Sequence, residues 1–380
     1  MIIKNGKIFL PDGIFSDVEL RVQDGVIREI AKTLSPVESE EVVDAAGGYV
    51  IPGLVDIHFH GCMGHDFCEG TKEAFDAITG YELKHGVTSI SPATMTMGED
   101  TLERVFAQAG SYRTECGSAL RGITMEGPFV SHAKKGAQNA DYIRKPEKAF
   151  FDRMQSLCGG LIRQVAVAPE EDEKLSFTRA AHDEVVVSVA HTTADYEMAS
   201  TAFEAGATHV THLFNAMPAF THRSPGVVGA AFDHKDVFVE LICDGIHIHP
   251  SMVRAAFQLF GAERICMISD SMMATGMPNG DYELGGQPVK VVGRLATLAD
   301  GTIAGSASNL MDCLRVAVQE MGIALEEAVR ASTQTPARSL GLDGECGSIA
   351  VGRAADLVML DQSLQIRKIY KDGACVDPTE

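Results

Sequence analysis

The stretch Val55-Asp-Ile-His-Phe-His-Gly61 decides how the rest of the chain is read. Its apolar, β-rich character predicts a strand over Val55–Phe59. Residues two apart in a strand share a face. His58 and His60 therefore project together, and Val55, Ile57 and Phe59 face the other way. Two neutral imidazoles on one face can share a metal ion. Gly61 and a polar loop follow at once, which places the pair at a C-terminal strand lip, where enzymes built from parallel β/α units carry their chemistry. Taken alone, the pair reads equally well as two polar residues at a strand end.

Downstream, the texture repeats. Seven more apolar runs follow Val55–Phe59: Thr88–Pro92, Gly122–Met125, Gln164–Val167, Val185–Ala190, His209–Leu213, Val237–Cys243 and Ile265–Ser269. Helix-like stretches lie between them at Lys72–His85, Asp100–Thr114, Pro146–Leu157, Asp172–His182, Asp195–Ala205 and Pro250–Phe260, most opening near Asp, Ser, Thr or Pro. Val/Ile-rich strands alternating with helices predict a parallel sheet covered on both faces. Eight such units predict an α/β fold, a closed (β/α)8 TIM-type barrel. An open doubly wound sheet is the alternative, but no Gly-x-Gly-x-x-Gly follows the first strand to support a dinucleotide site. Pro278–Ala304 reads as an added β hairpin set, and helix resumes at Asn309–Met321 and Leu325–Thr335.

Both ends differ from this pattern. Short strands at Ile2–Asn5, Asp17–Val22, Val26–Ala31 and Glu41–Ala45 are separated by turn signals such as Asn5-Gly6, Asp12-Gly13 and Asp24-Gly25. Ala355–Leu360 and Gln365–Tyr370 resume that style. Two unrelated appendages would explain this. One shared small β-sandwich domain from residues 1–50 and 350–380, beside a barrel over 51–349, is the favoured reading.

The 380 residues, 45% hydrophobic and 22% charged, suffice for a large core. A formal net charge of −20 argues against nucleic acid and anionic membrane surfaces as partners, and means that an anionic substrate needs a local cluster of positive groups. Nine scattered cysteines, with no Cys-x-x-Cys, read as reduced thiols in a cytoplasmic protein. Met1-Ile-Ile-Lys-Asn5 begins like a strand rather than a secretory signal, and no run approaches the roughly 20 apolar residues of a membrane span.

The polar residues at the strand ends now gather. His58 and His60 end the first strand, Glu126 the third, His191 the fifth, His212 the sixth and Asp270 the eighth. Any one of them has an ordinary explanation as a satisfied polar residue or a turn residue. Six at one rim of one barrel predict a metal centre. Nitrogen and carboxylate donors suit Zn, Fe, Mn or Co without distinguishing them, and one or two divalent ions per chain fit. Cys62 and Cys68 lie nearby, but better-placed N/O donors make thiolate ligation unnecessary.

This arrangement resembles the amidohydrolase superfamily: His-x-His on strand one, single histidines on strands five and six, aspartate on strand eight. Many members bridge two metals with a carboxylated lysine on strand four, whereas this chain reads Val167-Ala-Pro-Glu170 there and offers Glu126 as the anionic bridge. With Met125-Glu-Gly-Pro-Phe129, Lys134-Lys-Gly136, Thr211-His-Leu-Phe-Asn-Ala-Met-Pro218, Cys243-Asp-Gly-Ile-His247, Ala274-Thr-Gly-Met-Pro278, Ile303-Ala-Gly-Ser-Ala307 and Gly352-Arg-Ala-Ala-Asp-Leu357, the chain is similar to the branch that deacetylates amino sugar phosphates.

The resemblance implies a set of roles. Glu126, His191 and His212 match the common metal ligands, and His58 and His60 match second-metal ligands that some members lack. Asn215 and Ala216 match positions that hold the sugar phosphate, Arg223 and His247 match the phosphate-binding residues, and Asp270 matches the catalytic acid/base. Gln138 stands where some members carry a carbonyl-polarising histidine, and is given a substrate-binding role. Without the resemblance, Arg223 reads as an ordinary solvated arginine; His222 and His249 read as solvated loop residues, and His209 as structural. The implied reaction is hydrolysis of the acetamide of N-acetylglucosamine 6-phosphate by metal-bound hydroxide, with N-acetylgalactosamine 6-phosphate as the alternative substrate. A non-catalytic binding protein on the same barrel, or a cyclic-amide hydrolase, fits the residues less well. A homodimer is also implied, with Arg223 and His247 serving either their own pocket or a neighbour's.

Overall fold

The computed structural model describes residues 1–114 and 116–376. Eight barrel strands follow the chain: β1 (Leu54–Asp56), β2 (Val87–Ile90), β3 (Ile123–Met125), β4 (Ile162–Val167), β5 (Val186–Val189), β6 (His209–Val210), β7 (Phe238–Ile242) and β8 (Ile265–Ile268). β1 pairs with β2, and β3 through β8 pair in succession, all parallel. Short sets of backbone bonds span the two remaining gaps. Thr124 N–H donates to Pro92 O at 2.9 Å between β3 and β2, and Asp270 N–H donates to His58 O at 3.0 Å between β8 and β1. The ring is therefore a TIM-type barrel.

A helix follows each strand: α1 (Lys72–Lys84), α2 (Glu99–Ser111), α3 (Lys148–Leu157), α4 (Ser176–Ala181), α5 (Tyr196–Glu204), α6 (Gly226–Asp233), α7 (Pro250–Phe260) and α8 (Leu310–Gln319). Local chemistry sets several starts. Thr71 caps α1, Asp195 caps α5 and Asn309 caps α8 through their side chains, and Pro250 opens α7 behind His249. α6 has no side-chain cap and contains Gly226 and Gly229, so the sequence carries no helix signal there; burial of six of its residues holds it instead.

The first strand is shorter than its sequence predicts. It ends at Asp56, and His58 and His60 lie beyond it. The backbone nevertheless stays paired to both neighbours, with Ala93 N–H donating to Phe59 O at 2.6 Å and His60 N–H to Ser271 O at 2.7 Å. That pairing keeps the two imidazoles on one side without a regular strand. The insertion after β8 is a three-stranded antiparallel sheet of Gly280–Leu284, Gln287–Val292 and Leu295–Thr297.

Two further sheets use the chain ends. One orders Val26–Ala31, Glu19–Gln23, Ile2–Lys4 and Val42–Asp44; the other orders Ala374–Val376, Ile366–Lys371, Leu357–Leu360, Tyr49–Pro52, Lys7–Phe9 and Phe15–Asp17. Lys7–Phe9 and Phe15–Asp17 are strands of three residues each, too short to stand out in the sequence pattern. A hydrophobic cluster including Ile3, Ile8, Leu20, Val50, Leu357 and Met359 is shared by both sheets, separate from the main barrel cluster.

Candidate active site

The site is built on residues just past the strands. His191 follows β5, His212 follows β6 and Asp270 follows β8, and all three take positive φ, at 43°, 30° and 50°. This left-handed region is uncommon for side chains with a Cβ and clusters at functional sites. A single such residue breaks strand alternation and re-aims its side chain.

Glu126, 2% exposed, is the hub. Its Oε1 lies 3.0 Å from His191 Nε2, 3.1 Å from His212 Nε2 and 3.5 Å from His58 Nε2; its Oε2 lies 3.4 Å from His60 Nε2. His191 Nε2 and His212 Nε2 are themselves 3.1 Å apart. Two groups able to hold a metal result, Glu126–His191–His212 and Glu126–His58–His60, with Glu126 common to both. Neither contains a cysteine; Cys68 Sγ accepts from Met95 N–H instead.

The hydrogen bonds behind the rings show that the donors fit a cation. His191 Nδ1 is 2.9 Å from Lys134 O, which can only accept, so Nδ1 carries the proton and Nε2 turns a lone pair inward. His58 Nδ1 is 2.9 Å from Glu240 Oε2, and its buried Nε2 has no hydrogen-bond partner. Inward lone pairs facing a shared carboxylate, with no thiolate, suit a divalent cation. The same carboxylates favour positive charge at this spot, whether a proton on His58 or a bound cation. Burial opposes a charged His58, yet Glu240 and Glu126 outweigh it and raise its pKa well above the usual range. Burial likewise pushes the Glu126 carboxyl up, and the surrounding histidines, His58 first, pull it well below the ordinary value.

Asp270 Oδ1 stands 3.2 Å from His60 Nε2. Burial raises its pKa, but His60, with His58 and His212, outweighs burial and leaves the carboxyl below its ordinary range. Together these groups line a cavity of about 500 Å³ whose wall also includes Gln138, Asn215, Ala216, His247 and Leu284. His247 Nδ1 is held 2.8 Å from Asp244 Oδ2. Burial lowers the His247 pKa, and Asp244, with Asp270, more than reverses it. Gln138 is engaged at both ends: Nε2 donates to Glu126 Oε2 at 2.8 Å and Oε1 accepts from Thr96 N–H at 2.6 Å.

Thus ten of the eleven residues singled out from sequence line this cavity or, as with His58, contact Glu126 directly. Arg223 does not join them. It lies on an exposed loop, donates Nε–H to His222 Nε2 at 3.0 Å, and lines a separate cleft of about 420 Å³. His249 is exposed, as expected, and also caps α7 through its side chain. Sequence reading missed Glu240 and Asp244. A glutamate inside the buried strand Phe238–Ile242 was the available signal for the first, and the Asp within Cys243-Asp-Gly-Ile-His247 for the second.

A model of the amidohydrolase family matches residues 49–377. The N-acetylglucosamine-6-phosphate deacetylase of Bacillus subtilis (strain 168) is 35% identical over 96% of this chain and 94% of its own. The N-acetylgalactosamine-6-phosphate deacetylase of Escherichia coli O157:H7 is 32% identical over 98% of each chain. Among solved structures, the N-acetylglucosamine-6-phosphate deacetylase of Pasteurella multocida superposes with a TM-score of 0.92 at 27% identity, covering 99% of both chains. A Mycobacterium smegmatis N-acetyl-D-glucosamine-6-phosphate deacetylase mutant in complex with N-acetyl-D-glucosamine-6-phosphate superposes at 0.90 with 31% identity, over 99% of this chain and 98% of that one.

Proposed function

The chain belongs to the amidohydrolase family, and on that premise we propose that it hydrolyses the acetamide of N-acetylglucosamine 6-phosphate to glucosamine 6-phosphate and acetate. One observation carries the reading: Glu126 is shared by two histidine pairs in the same cavity as Asp270.

Amides resist hydrolysis because water is a weak nucleophile and an amine a poor leaving group. A divalent cation held by Glu126, His191 and His212, with His58 and His60 as ligands for a second, would polarise water and the amide carbonyl there. The donors suit Zn, Fe, Mn or Co. Asp270, held in its base form, takes the proton of the attacking water and returns it to the departing amine nitrogen. Gln138 orients Glu126 with one amide hydrogen, and its second, directed at the weak acceptor Met95 Sδ 3.7 Å away, can be taken over by a substrate oxygen. His247, with Asn215 and Ala216, receives the sugar phosphate and fixes the carbonyl opposite Asp270.

The same reading assigns residues 1–50 and 350–380 to a small β-sandwich domain and 51–349 to the barrel, supported by the shared cluster of the two end sheets; residues 377–380 lie outside the described ones. It makes the protein a cytoplasmic homodimer, in which Arg223 can serve a cavity other than its own chain's. The cysteines are unpaired among the described residues, as a reducing compartment favours.

A second reading, preference for N-acetylgalactosamine 6-phosphate, is favoured by the 32% identical relative. Acetate release measured side by side from both sugar phosphates, with and without a chelator, tests both. Chelator-sensitive release from the gluco sugar is expected. No release from either by metal-loaded protein would sink the proposal.

A further inference from the structure

We propose that Glu240 is a positioning residue shared by both ligand groups, which orients His58 and braces the backbone of His212 so that a divalent cation is held tightly. The inference rests on the metal reading above. Glu240 sits in the middle of β7 with 0% exposure and does not line the cavity. It therefore touches no substrate. Its Oε1 accepts from Gln164 Nε2–H of β4 at 2.6 Å, a bond between strands that are not neighbours, so both side chains point inside the barrel.

Oε1 is taken up by Gln164 and stands 3.5 Å from His209 Nε2, and Oε2 serves the two groups. Oε2 accepts from His58 Nδ1 at 2.9 Å and from the backbone N–H of His212 at 3.1 Å. The first contact is to one ligand pair and the second is to the other, across 182 and 28 residues of sequence. A fully buried carboxylate is costly unless it is both hydrogen-bonded and matched by positive charge. Glutamine would fill the same volume without that cost. A negative charge is useful here because a carboxylate behind an imidazole locks its tautomer and strengthens the opposite nitrogen as a ligand. That opposite nitrogen, His58 Nε2, is the one left without a partner beside Glu126.

Glu240→Gln keeps the shape and removes the charge. Wild type, Glu240→Gln, His58→Ala and the double variant would be titrated with zinc against a competing chelator, and zinc per chain counted. Glu240→Gln should weaken zinc binding about tenfold or more. The double variant should lose less than the sum of the two single losses, because Glu240 acts largely through His58. Unchanged affinity in Glu240→Gln, or strictly additive losses, would overturn the assignment. If Glu240→Gln does not fold, the imidazole nitrogen resonances of zinc-loaded wild type decide: His58 protonated at Nδ1 with Nε2 ligated supports the proposal, and a proton on Nε2 overturns it. Wild-type protein that takes up no zinc would overturn the metal reading, and this inference with it. Zinc uptake with additive losses overturns this inference alone.

Discussion

Asp270, His191 and His212 each reach the barrel mouth through one left-handed backbone step at a strand end. Their chemistry nevertheless separates. Asp270→Asn should keep metal content near wild type and cut turnover about 10²- to 10⁴-fold, the range of acid–base catalysis; kcat near normal would remove its proton-transfer role. Glu126 is common to both ligand groups, so Glu126→Gln should lower metal content more than His58→Ala with His60→Ala, read by elemental analysis of each variant. His247 supplies a pH dependence. Its pKa is raised, burial being outweighed by Asp244 together with Asp270, so the ring keeps its proton above the ordinary histidine range. KM for the phosphorylated sugar should therefore rise as pH climbs through that raised value, and Asp244→Asn should move the rise to lower pH. A KM profile that Asp244→Asn leaves unmoved would contradict the phosphate role.

At the scale of elements, Gly53 joins the end sheet to the barrel, between Tyr49–Pro52 and β1. A Cβ there would meet Thr88 side-chain atoms of β2 at 2.1 to 2.7 Å. Gly53→Ala should thus destabilise the fold by roughly 1–3 kcal/mol through overpacking; an unchanged urea midpoint would show that β2 yields freely. The elements themselves were largely legible. All eight apolar runs became barrel strands, because continuous Val/Ile-rich runs fit strands buried on both faces. α6 was not legible, since two glycines and no cap leave only tertiary burial to make it a helix. His58 and His60 were correctly paired but for an incomplete reason: the strand stops at Asp56 and backbone bonds to Ser271 and Ala93 extend the alignment.

For the whole molecule, metal and fold should be linked. A cation bound only by the native arrangement stabilises it by mass action, so chelation should lower Tm and added zinc restore it; a Tm indifferent to chelator would mean the two ligand groups do not bind in the folded state. Ile8→Ala, in the separate end-sheet cluster, should lower stability by roughly 2–5 kcal/mol and leave kcat unchanged. By itself the sequence determined the order of strands and helices, the chemical class of the ligands and the identity of most cavity residues, because local periodicity and donor chemistry are carried by short stretches. Tertiary structure alone decided the distances that set Glu126 between the two histidine pairs, that Glu240 backs His58, and that Arg223 lies outside the cavity His247 lines. Those facts depend on single φ angles at strand ends and on contacts between residues as far as 182 positions apart, which no local pattern encodes.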